Sequence, residues 1–281
     1  MACEHPVWVF GGIDSPGQDR VPVPCGRCPS CKKRRVDQWT FRLMEEERVS
    51  KSAHFVTFTY DNDHVHITEK GFMGLNKDDM QKYFKRLRKH HVGNAKSEIR
   101  YYCVGEYGGR TNRPHYHALI FNADEQLIQD AWAIDKVPLG QVYFGTVQNE
   151  SVGYCLKYMT KVSKIGTQYW DDRIPQFALM SKGIGKSYIE RMIFWHRDDL
   201  ENRMYIPLPG NIKATMPRYY KERIYLDTER EDIGWITLRR GLDEMEKMLT
   251  RYGDKLSKQY ELAKRASFNV MKQNFLNTSK I

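Results

Sequence analysis

Long apolar runs are missing from this 281-residue chain, and none approaches the roughly 20 residues that a membrane-spanning helix needs. The opening segment, MACEHPVWVF, lacks the basic-then-apolar layout of a signal peptide, so a secreted or membrane-embedded protein is not expected. Cysteine is scarce: six in all are too few for a disulfide scaffold. No repeat at a fixed period and no low-complexity tract is present. A nucleotide-binding loop is missing too. Gly183-Ile184-Gly185-Lys186-Ser187 has Met180 where the first glycine belongs, and no strong strand pattern precedes it. ATP binding, and with it a built-in ATP-driven motor, is therefore excluded.

What is present suffices for a folded core. Hydrophobic residues make up 41% and charged residues 28%, ordinary globular usage, and the length suits one large domain or a domain with appendages. The charge is unbalanced, however: 45 Lys and Arg face 35 Asp and Glu, a net +10. Such an excess favours a polyanionic partner, nucleic acid above all. In that light the glycine-rich segment 183–187 reads as a turn that touches a DNA backbone or lies on the surface.

Along the chain, a Pro-, Gly- and Cys-rich segment gives way after Cys31 to a helical pattern, with Val36, Trp39 and Leu43 at helical spacing. Lys32 to Arg35 open this helix and Glu45 to Glu47 close it, an order that opposes the helix dipole and suggests a use for positive charge beside the cysteines. FVTFTYD (55–61) is a β-branched and aromatic strand pattern. Asn76 is placed as an N-cap before Asp78 and Asp79, and Met80, Tyr83, Phe84 and Leu87 trace the buried stripe of an amphipathic helix. Residues 99–106, 115–121 and 141–147 read as strands, and 151–162 as a helix. This order implies an α+β fold with a largely antiparallel sheet. Beyond residue 165 the patterns weaken, until Leu242, Met245, Leu249, Tyr252, Leu256 and Ala263 mark a terminal helical stripe broken by Gly253.

Three constellations carry chemistry. His115-Tyr116-His117 on a strand turns both imidazoles to one face, their Cα atoms about 6–7 Å apart. Glu106 ends the preceding strand, and a short return loop would lay its carboxylate beside them. Two histidines and a carboxylate leave coordination positions open, the layout of a catalytic rather than a structural metal. Tyr154, Lys157, Tyr158 and Lys161 fall at i, i+3, i+4 and i+7, one face of a helix. Two phenols and two ammonium groups facing one way suit attack on a phosphodiester, provided positive charge or a base activates the phenol. Finally, Cys25, Cys28 and Cys31 are spaced for metal binding, with Cys3 the best fourth ligand and His5 the second. An iron–sulfur loop would want a cysteine where Arg35 stands, so zinc is the favoured metal.

RPHYHALIF followed by GYCLKYMTK resembles the HUH endonucleases, with Tyr116 as the bulky middle residue. The likeness is nearest to the rolling-circle replication initiators of microvirus-type, gokushovirus-like single-stranded DNA phages. CGRCPSC, GEYGGRTNRPHYHALIF, SKGIGKSY and PRYYKERIY extend it over most of residues 25–225. The resemblance implies an HUH core over 51–165, preceded by a zinc-binding segment and basic helix (1–50) and followed by an accessory helical region (166–281). It further implies His115, His117 and Glu106 as ligands of Mg2+ or Mn2+, Tyr154 and Tyr158 as nucleophiles, and Lys157 and Lys161 as helpers at the phosphate. The expected activity is nicking of origin single-stranded DNA through a 5′-phosphotyrosine link, with a free 3′-hydroxyl, in the host bacterial cytoplasm beside a host polymerase and helicase. An HUH transposase shares this chemistry. A non-catalytic, zinc-dependent nucleic-acid-binding protein would explain the charge and cysteines but leave the other two motifs to chance.

Overall fold

The β-branched and aromatic runs pair with one another in a computed structural model that describes residues 3, 5, 7–10, 20–91, 98–157, 165–208 and 210–253. The described elements, in chain order, begin with β1 (Val7–Phe10), β2 (Arg20–Val23), α1 (Pro29–Glu47), β3 (Ala53–Thr59) and α2 (Lys77–His90). They continue with β4 (Arg100–Tyr107), β5 (Pro114–Phe121), α3 (Glu125–Asp130), β6 (Ala133–Ile134), β7 (Val137–Pro138), β8 (Val142–Thr146) and α4 (Asn149–Leu156). After these come β9 (Phe177–Met180), α5 (Lys186–Arg197), β10 (Tyr205–Leu208), β11 (Ile212–Thr215), α6 (Arg218–Ile224) and α7 (Asp227–Tyr252). The fold is α+β. The chain forms two compact units, one of residues 39–187 and one of residues 1–38 with 188–281. No described helix is long and apolar enough to cross a membrane.

The first of these units, residues 39–187, is built on a five-stranded sheet in the order β8-β3-β5-β4-β9, with every neighbouring pair antiparallel. Strand side chains alternate between faces, so the sheet has two unlike sides. One side carries Val56, Phe58, Cys103, Tyr116, Ala118 and Ile120 into a buried cluster with Met80, Tyr83, Phe84 and Leu87 of α2. Those four helical residues are the expected stripe, each contributing about 1.5–3 kcal/mol on burial. Asn76 caps α2 as anticipated, its side chain accepting from the amides of Asp78 and Asp79. On the other side, Trp39 of α1 packs against Tyr102 at a ring separation of 5.1 Å. Val152, Cys155 and Leu156 of α4 are fully buried there.

Tyr116 pins the middle of β5 to the α2 side. Its hydroxyl accepts from the Asn76 amide (2.8 Å), donates to the Asn76 carbonyl (3.0 Å) and lies 3.1 Å from the Tyr60 hydroxyl. Tyr60 in turn donates to Asp79. Burial is the main cause of the Tyr60 and Tyr116 phenols being held far above the usual range, so both are neutral donors at neutral pH.

The turn before α5 differs from the expectation of a surface or DNA-contacting loop. Gly183 and Gly185 do adopt positive φ, as a glycine turn requires. But Ile184 and Ser181 are buried, and the Gly185 amide donates to the Glu46 carboxylate at 2.7 Å. The turn is a buried structural joint, and it gives a use to one of the glutamates that oppose the α1 dipole. In the second unit Tyr188, His196, Tyr220 and Tyr225 form an aromatic core, His196 standing 2.8 Å from the Tyr188 hydroxyl. Helix α7 ends at Tyr252, before Gly253 in the left-handed region, which favours glycine at a helix end. Leu256 and Ala263 lie outside the described residues.

Removing the Tyr116 hydroxyl should strip a buried amide and a buried carbonyl of their partner without opening a cavity. Tyr116→Phe is expected to lower unfolding free energy by roughly 1–3 kcal/mol in urea titrations. An unchanged midpoint would show that this junction does not hold β5 to α2.

Candidate functional site

The antiparallel register of β4, β5 and β3 assembles the site. Glu106 pairs directly with His115, and His117 pairs with Val104 on one side and Thr57 on the other. His115 and His117 therefore share the sheet face that Glu106 also occupies, as the alternation predicted. A ligand atom from each of the three lies within 4.8 Å of the other two, and Glu106 and His117 are buried. One imidazole nitrogen of each histidine is engaged: His115 Nδ1 lies 3.2 Å from the Arg113 carbonyl, and His117 Nδ1 lies 2.9 Å from Thr57 Oγ1. With Nδ1–H donating in both, each Nε2 keeps a lone pair for a metal ion, the usual way a second layer of contacts orients histidine ligands. A hard divalent ion fits this mixed nitrogen and oxygen set.

Tyr154 stands beside this trio. Its ring meets His117 edge-on at 4.8 Å and Phe55 at 6.1 Å, while Phe55 stacks on His117 at 5.6 Å and 7°. The tyrosine is 39% exposed, so its phenol stays reachable although its ring is packed. Burial chiefly, then the negative field of Glu106, raises the Tyr154 pKa above its usual value. A neutral phenol at physiological pH follows, and positive charge placed near Glu106 would reverse part of that shift. Lys157 caps α4, its amide donating to the Tyr154 carbonyl. Tyr158 and Lys161 lie outside the described residues. Thr57 and Phe55, which orient His117, are not legible as site residues in the sequence. Their alternation in FVTFTYD was the available signal, but only the pairing with β5 shows that they share the histidines' face.

A second metal-ligand group lies in the other unit. The β1–β2 hairpin pairs Val7 with Val23 and so returns Cys3, before it, toward Cys25, after it. Ligand atoms of Cys3, Cys25, Cys28 and Cys31 all lie within 4.8 Å of one another, a set that could hold one ion. Cys3 Sγ is 3.8 Å from Cys28 Sγ and accepts from the Cys25 amide, whereas the exposed His5 is not among the four. The Cys25 sulfur accepts from the Arg27 and Cys28 amides, and these bonds lower its pKa to about 6. Burial pushes Cys31 up to about 12. A thiolate-rich cluster with such a split is poised to release protons to a soft or borderline cation.

These features define a class before any particular relative. Residues 53–163, which run from β3 past α4 and contain the whole Glu106, His115, His117 and Tyr154 group, match a family model for replication-associated proteins of the ORF2 type. The likeness extends to individual phage proteins. Replication-associated protein VP4 of Bdellovibrio phage phiMH2K is 29% identical over 217 residues, covering 71% of this chain and 66% of the relative. Replication-associated protein ORF2 of Spiroplasma virus 4 is 27% identical over 272 residues, covering 86% and 84%. Replication-associated protein ORF4 of Chlamydia phage 1 is 31% identical over 114 residues, covering 39% and 27%. The resemblance to replication proteins of microvirus-like phages therefore holds. No solved structure matches.

Two metal measurements check the geometry. Glu106→Gln preserves side-chain volume but removes the anionic ligand, so Mn2+ affinity read by paramagnetic resonance should fall by on the order of tenfold or more. Purified protein should carry one zinc per chain, lost in Cys28→Ser with loosening of residues 1–38 in hydrogen exchange, because ligation is coupled to local folding. Iron with sulfide, or a metal-free but ordered wild type, would refute the thiolate assignment.

Proposed function

We propose that this protein initiates rolling-circle replication of a small single-stranded DNA genome, nicking and rejoining the origin strand as an HUH endonuclease. The observation that carries the reading is one site in which Glu106, His115 and His117 converge and Tyr154 packs edge-on against His117. The phage relatives are named replication-associated proteins, and the net charge of +10 suits a DNA substrate.

In this mechanism Glu106, His115 and His117 hold Mg2+ or Mn2+, which when bound polarises the scissile phosphate and offsets charge developing in the transition state. The remaining roles belong to the chain. Thr57 and the Arg113 carbonyl fix the imidazoles, and Phe55 stops the His117 ring from tilting. The Tyr154 phenol oxygen attacks phosphorus, and its proton passes to solvent. The bond from phosphorus to the 3′ oxygen breaks, and that oxygen takes a proton to leave a 3′-hydroxyl while the 5′ phosphate stays on tyrosine. Lys157, at the end of α4, assists at the phosphate, and Lys161 is assigned the same role from its spacing. Tyr158, one helical turn beyond Tyr154 in sequence, is assigned as the second nucleophile, which cuts the regenerated origin while the first remains occupied. The four thiolates hold a structural zinc. The 3′-hydroxyl serves a host polymerase, with a host helicase opening the duplex in the bacterial cytoplasm.

The test is a denaturing gel after incubation with origin oligonucleotide and Mn2+. Wild type should give a covalent protein–DNA adduct, and Tyr154→Phe/Tyr158→Phe none. His115→Ala and His117→Ala should each slow adduct formation by on the order of 10²–10³, since loss of an electrostatic contribution of several kcal/mol is at stake. Their DNA affinity should stay close to wild type, because dispersed phosphate contacts supply it. An adduct in the double tyrosine variant places the nucleophile elsewhere.

A further inference from the structure

The unit formed by residues 1–38 and 188–281 contains a second cluster with unused chemistry, remote in sequence from the histidines. A groove of about 240 Å³ runs between the first turns of α1 and the β10–β11 hairpin. Ser30, Lys33, Arg34 and Asp37 line it from α1, at the i, i+3, i+4 and i+7 positions of one face, and Lys213 lines it from β11. Three cations thus face one carboxylate. The groove walls are held together, since the Gln38 side-chain amide donates to the Thr215 carbonyl at 3.2 Å.

Ser30 is the informative residue. It is 4% exposed, and its hydroxyl has no hydrogen-bond partner among the described residues. A buried hydroxyl left in that state costs free energy unless something outside the chain supplies a partner. Ser30 is the second residue of a 19-residue helix whose first turn has no acidic residue, so its positive end is not neutralised by its own side chains. Anions bind such ends because amides and dipole act together. A third observation points the same way. Lys221 of α6 lies close enough to Arg34 for the two positive charges to repel, and burial together with Arg34 lowers the Lys221 pKa. Like charges brought together in a half-buried place are stabilised by a shared anion.

We propose that this groove binds a phosphate of the nucleic-acid backbone, with Ser30, Arg34 and Lys213 as its contacts. The groove is open along its length and walled by one helix face and one hairpin, which suits a polymer passing through. The assignment takes from the reading above only that the polyanion is single-stranded DNA. Lys33 is bridged to Asp37 at 2.8 Å, so the carboxylate competes with the phosphate for that ammonium. Removing the carboxylate should therefore tighten binding, an outcome that misfolding does not produce.

The experiment uses the full chain and a fluorescent oligothymidylate without an origin, followed by anisotropy over a range of salt. Arg34→Gln/Lys213→Gln should weaken binding roughly three- to thirtyfold and reduce the salt slope by about 0.7 for each phosphate no longer neutralised. Ser30→Ala should weaken it less, and Asp37→Asn should strengthen it severalfold. Zinc content and the urea midpoint verify folding. Unchanged affinity and slope in a folded double variant, or no tightening in Asp37→Asn, overturns the proposal. Inorganic phosphate supplies another arm: displacement at low millimolar phosphate, not matched by chloride at equal ionic strength, would assign the groove to a free phosphate ligand instead. Covalent adduct formation with origin DNA, measured on the same wild-type sample, fails independently. Loss of binding in the double variant without any wild-type adduct keeps this site and removes the catalytic reading.

Discussion

The antiparallel register of β5 with β3 and β4 is the constraint on which the site depends. Because strand side chains alternate, a slip of one residue would send His115 and His117 into the α2 core and bring Tyr116 to the site face. The protein fixes that register from the opposite side. Tyr116 is bonded to the backbone at Asn76 and stands next to Tyr60, and Tyr60 reaches Asp79 in the first turn of α2. The residue between the histidines is thus a fastening whose position sets where both imidazoles point. Buried phenols suit the task because each fills core volume and ends in a group that must find a partner.

The two faces of the sheet divide the labour. The α2 side is apolar and densely aromatic, with Phe58, Tyr83 and Trp132 in mutual ring contact. It supplies rigidity. The other face trades apolar burial for a carboxylate, two imidazoles and a half-exposed phenol, and its packing partners are arranged to orient these groups. Phe55 stacks on His117, Thr57 binds its Nδ1, and α4 is anchored by Val152, Cys155 and Leu156 so that Tyr154 projects beside it. A pocket that raises the phenol pKa and gathers negative charge is poorly suited to nucleophilic attack on its own and well suited to it once a cation neutralises Glu106.

The cysteine cluster plays a comparable part in its own unit. A short hairpin brings Cys3 to the three cysteines that straddle the start of α1, so the ligand set closes where the basic helix begins. Four thiols there, and the glutamates at the far end of α1, account for a charge order that helix electrostatics alone would disfavour. Glu46 gains a buried amide partner at Gly185, which offsets the dipole penalty of its position.

Local features were determined by the sequence itself. Asn76 before two aspartates marks a helix start whatever surrounds it, and the stripe from Met80 to Leu87 buries on one face because of the helical repeat alone. The face shared by His115 and His117, the strand patterns around them and the metal spacing of Cys25, Cys28 and Cys31 are legible for the same reason: each is a short-range periodicity. Tertiary structure alone decided the rest. That β5 lies between β3 and β4, which makes Thr57 and Phe55 neighbours of His117, depends on pairing across tens of residues. Composition along the chain divides it at residues 50 and 165, whereas the compact units join 1–38 to 188–281, a union that no local pattern announces. The glycine turn at 183–185 looked exposed because glycine and lysine are common on surfaces, yet Glu46, 139 positions away, supplies the buried carboxylate that holds it inside. Side-chain periodicity is written in neighbouring residues, but burial and partnership are set by which distant segments meet.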